Sequence, residues 1–197
     1  MSEHNGGVDP QAAITIRFAR PVDFEVVRRH FQMVHDAHAA HLPATFRPME
    51  ADDFRFQQFL RCLEGNHLAL VAERDGQVLG SMLATLSEVP EWPGYVPGLK
   101  LFVWHVVTEP AARRQGVAQM LIAAAAEWAA EKGADSIELT VWWFNEEADA
   151  FYRKLGFSAA YTGMVMAPTL AVERLGAGRL PQRASGSRGG WLSWWRR

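Results

Sequence analysis

The sequence is short of cysteine and has no long apolar run, and each absence excludes a class of protein. Cys62 is the one cysteine among 197 residues, which excludes an internal disulfide and favours a reducing compartment. It lies at the end of a predicted helix among apolar neighbours, as a packing residue does. No apolar run approaches the roughly 20 residues of a membrane-spanning helix, and the polar start, residues 1–11, lacks a signal-peptide pattern. We therefore expect a cytoplasmic protein.

Net charge is also small, but it is unevenly distributed. The formal value is −2, and residues 176–197 contain five Arg and no acidic residue. The other 175 residues therefore hold 15 basic and 22 acidic groups, a net charge of −7. An acidic body argues against nucleic-acid binding and favours cationic partners such as amines.

The most informative segment runs from an apolar strand through a turn into a helix. Residues 101–107 are almost continuously apolar, Pro110 ends the strand, and apolar residues recur at helical spacing over 117–132. The first amides of a helix lack internal partners and bind anions, and arginines strengthen binding to phosphate oxygens. The segment predicts a pyrophosphate site formed by Arg113, Arg114, Gln115, Gly116, Val117 and Ala118.

Two motifs follow one another along the chain. Residues 113–118 read Arg-Arg-Gln-Gly-Val-Ala, and residues 145–157 have the pattern Asn-x-x-Ala-x-x-x-Tyr-x-x-x-Gly-Phe. Both are similar to motifs of the GNAT superfamily of N-acetyltransferases, which bind acetyl-CoA. The resemblance implies that Asn145 holds the pantetheine arm and that Tyr152 protonates the departing thiolate. It also implies that the arm pairs with the backbone of the strand at Val106, Val107 and Thr108.

The predicted elements agree with that superfamily in their order, β-α-α-β-β-β-α-β-α-β. The strands are predicted near 13–18, 67–74, 77–86, 101–107, 136–142 and 157–166, and the helices near 23–41, 49–63, 117–132 and 146–155. The resemblance implies an α/β (α+β) three-layer fold, whose mixed, mostly antiparallel sheet has a splayed central parallel pair and helices on both faces. We expect this domain over 13–168, a flexible start at 1–12 and a basic Trp/Arg-rich tail at 169–197.

An amine acceptor must lose a proton, because an ammonium of pKa about 10.4 is only about one part in 2,500 neutral at pH 7. His105, on the strand before the pantetheine segment, is the first candidate for the base, and Glu109 is the second. Other candidates are His35, His38 and His41, on the first helix. Their spacing of three also suits a metal, but no cysteine or clustered carboxylate completes a zinc site, so we expect no metal.

The sequence therefore predicts an acetyl-CoA-dependent N-acetyltransferase that acts by direct transfer in a ternary complex. The acceptor is open between a small amine, an amino sugar and a protein amine, and the donor between acetyl and a longer acyl group. Monomer and homodimer are equally compatible. One alternative is a non-catalytic acyl-CoA-binding module. Another is a membrane-surface adaptor that works through the tail, whose Trp191, Trp194, Trp195, Arg196 and Arg197 suit a lipid interface. The same tail is equally suited to docking on its own domain or on a partner subunit.

Overall fold

The computed structural model describes residues 13–50, 53–90, 93–94 and 96–176. By its internal contacts the chain divides into two compact units, 1–156 and 157–197. The predicted flexible start, the tail from 177 onward and part of the loop at 90–98 lie outside the described residues. The division falls before the predicted domain end at 168, and that domain boundary stays a prediction.

The first unit is built on a five-stranded sheet whose order follows the chain. The first three pairings are antiparallel, and the last pairing is parallel. Asp75 and Gly76 both have positive φ in the turn between the second and third strands, as the predicted Asp-Gly hairpin requires. The strands are β1 (Thr15–Phe18), β2 (His67–Arg74), β3 (Gln77–Val89), β4 (Gly98–Thr108) and β5 (Ser136–Leu139).

Helices cover both faces of this sheet, because adjacent residues of β3 contact different helices. The helices are α1 (Phe24–His41), α2 (Phe56–Arg61), α3 (Val117–Glu131) and α4 (Glu146–Lys154), with α5 (Pro168–Leu175) in the second unit. A Cβ added at Gly80 would lie 2.8 Å from Val117 of α3, whereas Ser81 hydrogen-bonds His30 of α1. Neighbouring strand residues point to opposite faces, so α1 and α3 lie on opposite sides. The predicted mixed three-layer fold is confirmed.

Apolar side chains on one face of the sheet form a core with α1 and α2. Val27 and Phe59 are fully buried there against Val71 and Leu83. On the other face α3 buries Leu121 and a row of alanines, whose small side chains allow the helix to lie close to the sheet. Cys62 packs beside the first core as expected, and burial raises the pKa of its thiol.

The parallel pair separates partway along its length. β5 pairs with β4 only over Lys100–Val103, while β3 accompanies β4 as far as Thr108. Beyond Val103, one edge of β4 therefore has no strand partner among the described residues. This is the splay that the fold class predicts, and it leaves backbone groups of Val106–Thr108 facing the opening.

Some predicted boundaries are wrong. Residues 157–167 form no strand, and within them Tyr161, Met164 and Val165 are strongly exposed. Small residues at 158–160 and Gly163 have low strand propensity, and among the described residues the segment belongs to no strand pairing. The second helix is limited to α2, which begins at Phe56 because Arg55, its N-cap, has an extended backbone. Within the described residues, no helix is long and apolar enough to cross a membrane.

Candidate active site

The turn between β4 and α3 has an uncommon backbone conformation. Pro110–Ala112 forms a short 3-10 turn, and residues 113–116 lead directly into α3. Gly116, at the helix N-cap, has φ +82°, which glycine adopts without a Cβ penalty. Arg114 has φ +61° and lacks that freedom. Non-glycine residues with such strained backbone conformations occur most often at functional sites.

This turn leaves hydrogen-bond donors at the start of α3. No side chain caps the helix, so the amides of Val117, Ala118 and Gln119 have no partner within it. They also carry the positive end of the helix dipole. Arg113 and Arg114 are both exposed beside them. Amides and guanidinium groups together form a site that suits a diphosphate.

A cavity of about 740 Å³ lies beside these donors and continues to the free edge of β4 and to α4. Gln115 is the one predicted cofactor-binding residue that does not line it. Its side chain instead accepts a hydrogen bond from Arg74 at 2.8 Å and donates one to the carbonyl of Ala111 at 3.0 Å. The predicted residues that line the cavity are Val106, Val107, Thr108, Arg113, Arg114, Gly116, Val117, Ala118, Asn145 and Tyr152.

Asn145 and Tyr152 reach the cavity from the ends of α4. The Asn145 side-chain oxygen accepts a hydrogen bond from the amide of Ala148 at 3.2 Å, which makes it the helix N-cap. Its NH₂ group is a separate donor, so capping and ligand binding are compatible. Burial raises the pKa of Tyr152 to about 12, so the phenol keeps its proton at neutral pH.

His105 and Glu109 lie outside the cavity lining, in a polar network between α1 and the sheet. His30, fully buried, is 3.0 Å from a Glu109 oxygen through Nε2 and 2.8 Å from the Ser81 hydroxyl through Nδ1. Ser81 Oγ is in turn 3.4 Å from His105 Nε2. Arg29 donates to the same Glu109 oxygen at 2.8 Å. The network connects α1 to the strand end that precedes the turn between β4 and α3.

The same surroundings limit both residues as proton acceptors. Burial, together with nearby His30 and His35, lowers the pKa of His105 to about 3. The hydrogen bond from Arg29 lowers the pKa of Glu109. Burial raises this pKa, but the hydrogen bond from His30 lowers it further, and the net shift is downward. Transfer of an amine proton to either residue would need intervening water, and their role as the base stays a prediction.

Three histidines of α1, His35, His38 and His41, lie in an aromatic cluster. His38 lines the cavity and stacks on Phe46, with ring centroids 5.0 Å apart. His41 lies parallel to Phe144 at 4.3 Å. Within the described part of the chain, no group of three His, Cys, Asp or Glu side chains is arranged to hold a metal ion.

Several lining residues were missed by the sequence analysis. Phe144 and Glu147 flank the Asn145 motif position, and Met33 and Val34 come from α1. Phe144 could have been predicted as a lining residue, because it directly precedes the motif asparagine and follows two tryptophans. The α1 residues carry only the ordinary pattern of a packed helix face.

The family comparison agrees with this geometry. The model of the family described as "Acetyltransferase (GNAT) family" matches residues 31–157, which include both motifs, β4 and the cavity. No curated protein matches the sequence.

Similar solved structures share the fold at low sequence identity. A mutant of the BH1408 protein from Bacillus halodurans is 24% identical with a TM-score of 0.73, over 78% of this chain and 98% of that one. The aminoglycoside N-acetyltransferase AAC(6')-Iy, in complex with CoA, is 19% identical with a TM-score of 0.58, over 78% and 98%. The aminoglycoside acetyltransferase meta-AAC0020 from an uncultured soil metagenomic sample, in complex with sisomicin, is 17% identical with a TM-score of 0.59, over 78% and 94%.

Proposed function

The chain belongs to the acetyltransferase (GNAT) family, and we propose that it transfers the acetyl group of acetyl-CoA to a primary amine by direct transfer in a ternary complex. The observation that carries the proposal is a single cavity that joins three features. These are the uncapped start of α3, the free edge of β4 and the two α4 residues of the second motif.

The donor's phosphates would bind where the fixed positive charge is greatest. The amides at the start of α3 would bind the pyrophosphate through backbone hydrogen bonds, and Arg113 and Arg114 would add charge-assisted bonds. Gly116 permits this approach because it has no side chain and tolerates the positive φ of the N-cap.

The pantetheine arm would extend from there along β4. Its amides would pair with the backbone of Val106–Thr108 in the manner of an added strand, since β5 does not occupy that edge. The NH₂ group of Asn145 would donate to a carbonyl of the arm. A backbone N–H of the same β4 segment would stabilise negative charge on the thioester oxygen during transfer.

The transfer forms a bond from the amine nitrogen to the acetyl carbon and breaks the carbon–sulfur bond of the donor. Tyr152 would give its proton to the leaving sulfur, for which its protonated state is suited. The amine would give up its own proton to a base. His38 lies in the cavity lining and is the candidate for direct contact, whereas His105 and Glu109 would act through water.

Calorimetric titration with acetyl-CoA tests the first step. We expect saturable one-to-one binding at micromolar concentration, and binding at least 100-fold weaker after Arg113→Glu with Arg114→Glu, a loss of about 2.7 kcal/mol. The control is Arg61→Glu with Lys132→Glu, which changes the net charge equally at two exposed basic residues of the first unit outside the cavity and should bind as the native chain does. Absence of binding at millimolar acetyl-CoA contradicts the proposal. Binding without turnover of any amine supports a non-catalytic acyl-CoA-binding module.

A further inference from the structure

One wall of the cavity is formed by two rings from different parts of the chain. His38 of α1 and Phe144 of the turn after β5 both line the cavity. Their ring centroids are 5.8 Å apart, with an interplanar angle of 74°. We call this pair the ring wall.

Further rings pack against the ring wall without lining the cavity. Phe46 stacks on His38 at 5.0 Å, and His41 lies parallel to Phe144 at 4.3 Å with an angle of 3°. Trp142 meets Phe46 edge-on at 5.2 Å. The ring wall is therefore held in place before any ligand arrives, and such preorganisation lowers the entropy cost of binding a flat group.

The charges of the lining side chains limit the charge of the acceptor. Arg113 and Arg114 lie at the start of α3, and among the lining residues that the structure describes Glu147 is the sole carboxylate. An acceptor with several ammonium groups would bring charges into the cavity without carboxylate partners, which is costly. One ammonium group, by contrast, has Glu147 and the faces of aromatic rings as partners.

His38 adds a hydrogen-bond acceptor to this wall. Burial lowers its pKa, and the neighbouring His35 and His41 lower it further. A neutral imidazole presents a nitrogen lone pair. The ring wall thus combines apolar faces with a group that can accept a hydrogen bond from an amine.

Taking the proposed function as its premise, we propose that the acceptor is a monoamine carried on a flat apolar ring, which packs against His38 and Phe144. This class differs from the amino sugars, whose several ammonium groups need several carboxylates. The ring of the acceptor would stack on Phe144, and its amine would lie near His38 and Glu147.

Steady-state kinetics of the full chain with three amines test the acceptor class. With saturating acetyl-CoA, kcat/KM for 2-phenylethylamine should exceed that for propylamine and for sisomicin at least tenfold. Propylamine has the same aliphatic amine without the ring, and sisomicin carries several ammonium groups. An equal or higher kcat/KM for sisomicin or propylamine overturns the inference.

The variant Phe144→Leu tests the wall itself, because it keeps apolar volume but removes the flat ring. We expect kcat/KM for 2-phenylethylamine to fall at least tenfold more than kcat/KM for propylamine. Trp143→Ala is the matched control, since Trp143 belongs to the same turn, is 79% exposed and does not line the cavity. An equal fall with both amines would overturn the inference, because it would indicate general damage rather than loss of ring packing.

Calorimetry with acetyl-CoA distinguishes a wrong acceptor class from a wrong proposed function. Tight acetyl-CoA binding without acetylation of 2-phenylethylamine overturns the acceptor class alone and leaves donor binding intact. Absence of acetyl-CoA binding overturns the proposed function and this inference with it. Unchanged acetyl-CoA affinity in Phe144→Leu shows that the variant is folded at the donor site.

Discussion

At the scale of single residues, burial determines what Tyr152 can do in the reaction. Its pKa is raised to about 12 by burial, so the phenol is protonated over the whole usual assay range. An acid acts only in its protonated form, and its contribution is lost as pH rises through its pKa. Tyr152 should therefore impose no alkaline limit on turnover within that range.

We predict that kcat measured from pH 6 to about 10.5 rises with amine deprotonation and shows no descending limb. Tyr152→Phe should lower kcat at least tenfold, since the leaving thiolate loses its proton donor, and should leave acetyl-CoA affinity nearly unchanged. Unchanged turnover in the variant would rule out Tyr152 as the acid, whereas a descending limb near pH 9 that is absent from the variant would show that burial does not raise the pKa of Tyr152.

The residues that the sequence could identify are those whose role depends on local backbone. Gly116 and the amides after it were predictable because a turn and a helix start are local features. Phe144 and His38 were not predicted as a pair, because their contact depends on how the turn after β5 meets α1. Such a contact between residues distant in sequence leaves no periodic pattern.

At the scale of elements, α1 is joined to the sheet by a hydrogen-bonded chain as well as by apolar packing. With Glu109 ionised, His30 donates through Nε2 to that carboxylate, and its Nδ1 then accepts from the Ser81 hydroxyl. Because Ser81 is fully buried, no water can replace its hydroxyl without rearrangement. The position of α1, and with it the ring wall, depends on this connection.

Ser81→Ala should lower the free energy of unfolding by about 1–3 kcal/mol, because it leaves the His30 nitrogen buried and unpaired. The measurement is urea denaturation followed by circular dichroism. Ser87→Ala, on the same strand but half-buried, is the control and should stay within about 0.5 kcal/mol of the native chain. Equal stability of the two variants would show that the chain of hydrogen bonds contributes nothing.

Pairing between elements explains why the strand predicted at 157–166 is wrong. β1 to β4 were predictable because each pairs with a neighbour in chain order and carries an apolar pattern. The segment 157–167 has apolar residues but belongs to no strand pairing among the described residues, and Met164 and Val165 are almost fully exposed. Strand formation requires a pairing partner, which sequence pattern alone does not specify.

At the scale of the whole molecule, several buried histidines make stability depend on pH. The pKa values of His30, His38 and His105 are all lowered mainly by burial, that of His105 to about 3. Below about pH 6.5 the unfolded chain binds protons that the folded chain does not. Folding stability therefore rises with pH across this range and is lost as pH falls.

His105 dominates this effect, since its ring is buried, its Nε2 has only the Ser81 hydroxyl at 3.4 Å and its Nδ1 has no hydrogen-bond partner among the described residues. With a pKa of about 6.5 in the unfolded chain, His105 alone should lower the free energy of unfolding by about 2 kcal/mol between pH 7 and pH 5.

Urea denaturation at a series of pH values measures the slope of the free energy of unfolding against pH. His105→Asn should flatten it by that amount whatever its stability at pH 7, because the comparison is between slopes. His67→Asn, the same substitution at an exposed histidine, should keep the native slope. A native slope in His105→Asn would mean that the ring takes up a proton in the folded chain as readily as in the unfolded chain, which would strengthen His105 as a candidate for the base.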